Sequence, residues 1–277
     1  MRRTTWRRLL TTVLACPLSL LLAGAATSAP AHAGSKPSGE TRQGGYAALG
    51  DSFASGVGAG ASSGNCRRVA NAYPALWAAA HHGEPFNFAA CSGARIHDVI
   101  TSQLSGLSSR TTLVSITVGG NDIGFTDVMK TCVTSGESAC LKSIARAERT
   151  MDHVLPGAYD GLLRSVTKAA PHARVVVLGY PHLYADRACA AGMVTRRSQS
   201  AVNAAADHLD RVIAGRARAH KGAAFADVRP AFAGHGVCSA DSWINPPSLL
   251  SVDASYHPTA QGQRKGYLPA LGTASRP

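Results

Sequence analysis

Short apolar segments alternate with longer helical patterns along most of this sequence. Five apolar runs have the length of buried strands, at residues 46–49, 86–88, 113–118, 174–178 and 223–228. Most of the stretches between them carry apolar residues at helical spacing. This alternation predicts βαβ units and therefore an α/β fold, a three-layer α/β/α sandwich with a central parallel sheet. No linker composition interrupts residues 45–277, so we expect a single domain there.

The residue types also predict local features of the helices and loops. Asn71 is expected to cap the helix that follows it, and Pro258 to lie in the first turn of the last helix. The helical pattern after Cys140 is expected to break near Pro156-Gly157, and residues 130–139 are expected to form a loop.

The N-terminal segment has the pattern of a targeting sequence. Four arginines precede an apolar stretch at residues 9–22, and Ala31-His32-Ala33 has the small-x-small form of a cleavage site. A membrane anchor is the alternative, but the apolar stretch is short and ends in the cleavage motif. Residues 1–33 are therefore predicted to be a secretory signal peptide, and the protein to be secreted. Residues 34–44, polar and rich in Gly and Ser, are expected to form a flexible N-terminal arm.

The chain is basic. Its formal net charge is +12, and the predicted cleavage removes four arginines and no acidic residue, which leaves +8. A positive charge of this size favours contact with anionic lipid surfaces. The basic residues are scattered and no nucleic-acid motif accompanies them, so we expect no nucleic-acid partner. We expect the protein to be a monomer.

Six cysteines follow the predicted cleavage site: Cys66, Cys91, Cys132, Cys140, Cys189 and Cys238. An even number of cysteines in an exported protein predicts three disulfides. Fifteen pairings are open to six cysteines. The spacing favours sequential pairing, as Cys66–Cys91, Cys132–Cys140 and Cys189–Cys238.

Polar residues follow the first and third predicted strands directly. Ligands of parallel sheets bind at the carboxyl ends of the strands. Ser52 comes after Gly50, which permits a tight turn, and Asn121 comes after Gly119-Gly120. Each has an ordinary structural interpretation, Ser52 as a helix cap and Asn121 as a turn residue. Each also has a chemical one, because a hydroxyl can attack a substrate and an amide can donate to a developing negative charge.

Two further positions are candidates. Gly93 follows the second strand, at the predicted start of a helix, where its N–H is available as a donor. His257 precedes Pro258, which fixes an extended backbone, and Asp253 lies shortly before it. Most of the eleven histidines are expected to have no role, and only His257 combines this setting with a nearby carboxylate.

Taken in order, these pieces resemble the SGNH (GDSL) hydrolase family. The matching blocks are Gly50-Asp51-Ser52, Gly93, Gly119-x-Asn121-Asp122 and His257. The resemblance runs from about residue 46 to about residue 268 and is greatest to secreted actinomycete lipases and esterases. It implies a flavodoxin-like α/β/α domain at residues 45–277.

The resemblance also implies roles for the residues. Ser52 would be the nucleophile and His257 the general base, with the Ser52 N–H, the Gly93 N–H and the Asn121 side chain forming the oxyanion hole. In one place the sequence departs from the family pattern Asp-x-x-His, because Ala254 occupies the Asp position. Two groups could orient the ring of His257: the carboxylate of Asp253, or a backbone carbonyl. Of the backbone carbonyls, that of Ala254 is favoured.

The predicted function is therefore a secreted serine ester hydrolase, a lipase or esterase that cleaves fatty acyl esters through a Ser52 acyl-enzyme. Phospholipase A activity and carbohydrate acetylesterase activity are the enzymatic alternatives, and a surface glycan- or lipid-binding module is the non-enzymatic one. The sequence has no His-Glu-x-x-His, EF-hand or phosphate-binding loop. We therefore expect neither a metal nor an organic cofactor.

Overall fold

In the computed structural model of the protein, the described residues are 45–186 and 194–276. The strands are β1 Gly45–Gly50, β2 Ser62–Ser63, β3 Arg68–Val69, β4 Phe86–Phe88, β5 Thr111–Thr117, β6 Arg174–Leu178 and β7 Ala223–Ala226. Five of them form one parallel sheet in the order β4-β1-β5-β6-β7. The short strands β2 and β3 pair separately and antiparallel.

The helices are α1 Ser52–Ser55, α2 Tyr73–Ala80, α3 Ile96–Asp98, α4 Phe125–Thr134, α5 Gly136–His153, α6 Leu155–Ala169, α7 Arg196–Ala219, α8 Arg229–Phe232 and α9 Leu268–Ala274. Two π-helical segments, Val99–Gln103 and Gly262–Tyr267, continue α3 and precede α9. Two 3₁₀ turns lie at Leu104–Gly106 and Val252–Ala254. Within the described ranges, no helix is long and apolar enough to cross a membrane.

Helices flank the central sheet. Helices α5, α6 and α7 pack on one another, and α2 packs with α9. The central strands are covered on both sides, which explains why the side chains of residues 175–178 in β6 are apolar without alternation and are all buried. The predicted α/β/α sandwich with a parallel sheet is confirmed.

The strand order places a crevice beside β1. From β1 the chain crosses to β4 on one side of it and then returns to β5 on its other side. Adjacent strands whose connections leave in opposite directions open a crevice at their carboxyl ends. The turns that carry Ser52 and Asn121 follow β1 and β5, so both lie at this point.

Four local predictions were wrong. Helix α2 begins at Tyr73, because the Asn71 side chain donates to the carbonyl of Ala59 at 3.0 Å instead of capping the helix. The break expected near Pro156 lies at Val154, since Pro156 is accommodated in the first turn of α6. Pro258 bridges to Ile244 and stands before the last helix, outside it.

The fourth error concerns the segment that sequence analysis treated as a loop at residues 130–139. It contains the end of α4 and the start of α5. Its β-branched and polar residues, Thr131, Val133 and Thr134, are weak helix formers. Tertiary packing and the Cys132–Cys140 disulfide hold this corner in helical form.

Candidate active site

The turn after β1 presents Ser52. Gly50 has φ +126°, and a Cβ there would lie 2.1 Å from the carbonyl oxygen of Thr117, so glycine alone fits. The Asp51 side chain accepts a hydrogen bond from the Phe53 N–H at 2.9 Å and caps α1. Ser52 is therefore the first residue of a short helix at the carboxyl end of a central strand.

The structure brings His257 to Ser52 from 205 residues away in the chain. The distance from His257 Nε2 to Ser52 Oγ is 2.7 Å, and that from His257 Nδ1 to the carbonyl oxygen of Ser255 is 3.1 Å. Burial lowers the pKa of His257 to about 4, against a smaller opposing effect of the Ser255 carbonyl. The imidazole is therefore neutral at pH 7, with Nδ1–H donating to Ser255 and Nε2 available to accept the serine proton.

The ring of His257 contacts a backbone carbonyl, which is the second kind of orienting group considered from the sequence, but this carbonyl belongs to Ser255 and not to Ala254. The Asp253 carboxylate forms an ion pair with Arg67 at 2.5 Å, and the Ala254 carbonyl accepts from the backbone N–H of His257 at 3.1 Å. The physical reason is the left-handed conformation of Tyr256, with φ +62°, which turns the chain so that the Ser255 carbonyl faces the ring.

Gly93 and Asn121 line the same cavity as Ser52 and His257. Asn121 Nδ2 donates one hydrogen to the carbonyl of Ala94 at 3.0 Å, and an amide nitrogen carries a second. Gly93 has φ +83° and lies in a turn; the helix expected to begin there starts at Ile96. The backbone next to Gly93 is thus tied to the Asn121 side chain.

Asp122 makes a second tie between these two turns. Both of its carboxylate oxygens lie 3.1 Å from the N–H of Ile96, which donates to them. Burial raises the pKa of Asp122 to about 6, against the effect of the Ile96 hydrogen bond. The segment after β4 and the segment after β5 are therefore fixed relative to each other.

A buried tyrosine, which sequence analysis missed, connects the nucleophile turn to the turn after β5. The Tyr180 hydroxyl donates to Asp51 Oδ2 at 2.6 Å and accepts from the N–H of Gly120 at 3.1 Å. Burial raises the pKa of Asp51 to about 7, and the hydrogen bond from Tyr180 opposes that rise. The position of Tyr180 shortly after β6, at the same edge of the sheet, is the sequence signal that could have identified it.

Ser52 and His257 line a large cavity. Its volume is about 840 Å³, and α4, α5 and α7 supply much of its wall. The apolar lining includes Ile123, Phe125, Val128, Met129, Val133, Ile144, Met151, Leu183 and Leu209. Its size and lining are those of a site for a long apolar group. The α4 wall could not be foreseen, because that helix was not predicted.

Disulfides brace the cavity. Cys66–Cys91 joins the loop that carries Arg67 to the segment that precedes Gly93, and Cys132–Cys140 joins α4 to α5. Both are among the expected pairs. The third expected pair includes Cys189, which lies outside the described residues. Within residues 45–186 and 194–276, no group of three or more His, Cys, Asp or Glu side chains could hold a metal ion.

Residues 48–265 match the GDSL-like lipase/acylhydrolase family. The chain belongs to this family. The family, the fold and the class of enzyme, a carboxylic ester hydrolase, are thereby confirmed. The matched segment contains all four sequence blocks, from Gly50-Asp51-Ser52 to His257.

Two proteins similar to the chain are lipases of Streptomyces species. It is 53% identical over 234 residues to a lipase of Streptomyces rimosus, covering 83% of this chain and 86% of that one. It is 51% identical to Lipase 1 of Streptomyces coelicolor, covering 83% and 87%.

Two solved structures are similar over most of their length. One is an extracellular lipase of Streptomyces rimosus, with a TM-score of 0.80 and 51% identity, covering 83% of this chain and 99% of that one. The other is a phospholipase A1 of Streptomyces albidoflavus NA297, with a TM-score of 0.81 and 49% identity, covering 84% and 99%.

Proposed function

We propose that the protein cleaves fatty acyl esters through a covalent intermediate on Ser52. The observation that carries the proposal is the 2.7 Å contact between Ser52 Oγ and His257 Nε2 in the wall of a large apolar cavity. A hydroxyl in hydrogen-bond contact with a neutral imidazole is activated as a nucleophile. The cavity accepts the acyl chain of the ester.

The first half of the reaction forms the acyl-enzyme. Ser52 Oγ attacks the ester carbonyl as His257 Nε2 takes its proton, and the Ser255 carbonyl stabilises the resulting imidazolium through Nδ1–H. The carbonyl oxygen becomes an oxyanion that accepts from the Ser52 N–H, the Gly93 N–H and Asn121 Nδ2. His257 then returns the proton to the leaving alcohol.

The second half releases the acid. Water replaces the alcohol, His257 takes a proton from it, and the hydroxide attacks the acyl carbon. Collapse of this second tetrahedral intermediate breaks the bond to Ser52 Oγ, which regains its proton from His257. The Ser255 carbonyl stabilises imidazolium less than a carboxylate would. It therefore only weakly opposes the effect of burial, which keeps His257 neutral.

Hydrolysis of p-nitrophenyl esters from acetyl to palmitoyl tests the proposal. Ser52→Ala should lower kcat by at least about 10⁴-fold, and Asn121→Ala by about 10²–10³-fold. Ser55→Ala is the matched control: this buried serine of the same helix directs its hydroxyl to the Ser52 carbonyl at 3.3 Å, and its variant should stay active. Rates should rise from acetyl towards the longer chains.

Each rival function predicts a different result. Hydrolysis confined to acetyl esters would indicate a carbohydrate acetylesterase, for which a cavity of about 840 Å³ is larger than needed. A folded protein with no esterase activity would indicate a glycan- or lipid-binding module. Activity that survives Ser52→Ala would refute the acyl-enzyme.

Phospholipase A activity is a second candidate, favoured by a cation at the cavity. Arg67 lines the cavity and its side chain is 39% exposed. A lipid phosphate can replace Asp253 as the partner of this guanidinium. The similar phospholipase A1 structure supports the same substrate. Arg67→Gln should lower phosphatidylcholine hydrolysis relative to p-nitrophenyl ester hydrolysis, and Arg67→Lys should restore part of it; an unchanged ratio contradicts this role.

Export completes the proposal. Residues 1–33 are proposed to direct secretion and to be removed after Ala33, followed by the arm at 34–44 and the catalytic domain at 45–277. The disulfides Cys66–Cys91 and Cys132–Cys140 support an oxidising destination, and the similar Streptomyces rimosus structure is an extracellular lipase. N-terminal sequencing of secreted protein should begin at Gly34, and recovery of the full-length chain inside the cell contradicts the assignment.

A further inference from the structure

The most exposed large apolar side chains of the described chain lie together. Leu249 is 96% exposed, Leu250 98% and Val252 67%, and the fourth such residue, Val154, is 60% exposed in the connection between α5 and α6. Single exposed apolar residues are common, but three within four positions form a patch that indicates an interaction surface. We name residues 248–255 the leucine loop.

The leucine loop is held in place at both ends. The Ser255 hydroxyl accepts from the N–H of Ser248 at 3.0 Å, which closes the loop at its base. The 3₁₀ turn Val252–Ala254 forms its second half, and the Asp253 carboxylate is paired with Arg67. The loop therefore projects its leucines into solvent from a defined base and does not fold them into the core.

The leucine loop also borders the cavity of the active site. Leu249 and Val252 line this cavity together with Ser52, and Leu250 lies outside the lining. The base of the loop carries the Ser255 carbonyl that orients His257. Because Leu249 and Val252 line the cavity and are also highly exposed, the cavity reaches the surface at the leucine loop, next to Leu250.

We propose that the leucine loop inserts its apolar tip into the surface of the lipid aggregate that carries the ester substrate. A lipid surface fits both the tip and the charge beside it. The acyl region of the lipid matches Leu249 and Leu250, and the lipid headgroups match the guanidinium of Arg67. A protein docked on the same patch would cover the opening of the cavity, whereas a lipid surface delivers substrate through it. The inference rests on the proposed function in taking this opening as the ester entrance.

Vesicle binding tests the proposal without any turnover. The full-length mature protein is sedimented with vesicles of a diether phosphatidylcholine, whose chains carry no ester. Leu250→Ser should weaken partitioning about tenfold, since a leucine side chain no longer enters the apolar region. Val154→Ser is the matched control, an exposed apolar residue that does not line the cavity, and should bind as the wild type does.

Kinetics give a second measurement on the same variants. With a monomeric, water-soluble butyryl ester, Leu250→Ser should keep wild-type kcat/KM, because this residue touches neither the cavity nor the catalytic pair. With a dispersed long-chain ester, its rate at low interface concentration should fall in parallel with vesicle binding. Equal loss on both substrates would show that Leu250 supports the active site itself and would overturn the proposal.

Other outcomes also decide against it. Wild-type protein that stays unbound to vesicles, or Leu250→Ser that binds like wild type, overturns the lipid assignment. A wild-type dimer in solution that Leu250→Ser converts to a monomer identifies a second copy of the chain as the occupant instead. Ser52→Ala protein should bind vesicles normally, so a failure of the proposed chemistry would leave this binding result standing on its own.

Discussion

Lowering the pH tests the burial of the His257 imidazole. The proposed mechanism needs Nε2 unprotonated to accept the Ser52 proton. Burial lowers the pKa of His257 to about 4, from an ordinary value of 6.5. At pH 5.5 an ordinary histidine is only about one tenth neutral, whereas a group with a pKa of about 4 is almost wholly neutral. We expect kcat/KM to stay near its pH 7 value down to about pH 5 and then to fall.

The assay is hydrolysis of a soluble butyryl ester between pH 3.5 and 8, with initial rates below KM so that the profile reports the free enzyme. Burial raises the pKa of Asp51 to about 7, so this neighbour of Ser52 also titrates in the range. Asp51→Asn removes that titration and keeps an acceptor for the Phe53 N–H. The acid limb near pH 4 should persist in this variant.

Folding must be followed at each pH by circular dichroism. His257 has a lower pKa folded than unfolded, so its contribution to stability is present above pH 6.5 and is lost as the pH falls towards 4. Asp51 has a higher pKa folded, so its contribution is present below pH 3.8 and is lost as the pH rises through 7. An acid limb near pH 6.5 in folded protein would refute the argument that burial keeps the imidazole neutral.

Three substitutions test the scaffold of the site. Gly50→Ala should lower the free energy of unfolding by about 1–3 kcal/mol or more in denaturant unfolding, since the new Cβ meets a main-chain carbonyl of β5. Gly157→Ala, in open space on α6, should leave the free energy of unfolding unchanged or raise it, and equal effects of the two variants contradict this. Tyr180→Phe should lower the free energy of unfolding by about 1–3 kcal/mol and lower kcat more than it raises KM, because Asp51 and the Gly120 N–H lose their hydrogen bonds. An unchanged kcat argues against a positioning role. Replacing Cys132 and Cys140 together by Ala should lower the free energy of unfolding by about 2–3 kcal/mol, because the unfolded chain regains the entropy of the short loop that the disulfide closes. An unchanged melting temperature contradicts this expectation.

The sheet could be predicted from the sequence because its strands are short apolar segments that alternate with helical stretches. The strand at 174–178 was placed with the observed bounds from its continuous apolar run, and the strand at 86–88 from the alternation of Phe86, Asn87 and Phe88. Helix ends were less accurate. At Asn71 and Pro258 the local preference for a helix start was overridden by contacts with distant residues, Ala59 and Ile244.

The candidate site could be predicted in part, for a physical reason. Ser52 and Asn121 follow strands whose carboxyl ends meet, so strand order alone brings them together. The group that orients His257 depends on one backbone angle at Tyr256, which no pattern of residue types specifies. The apolar wall of the cavity depends on α4, whose weak helix formers concealed it.

The central claim is that Ser52 forms the covalent bond to substrate. Treatment with a fluorophosphonate, followed by digestion and mass spectrometry, locates the nucleophile directly, because the oxygen of an activated serine attacks the phosphorus and displaces fluoride, which leaves a phosphonate ester on that serine. The account predicts a single adduct on the peptide that contains Ser52, formed at the same rate as activity is lost and absent in Ser52→Ala. An adduct on another serine, or full inactivation of the Ser52→Ala protein's residual activity by the same reagent, would contradict it.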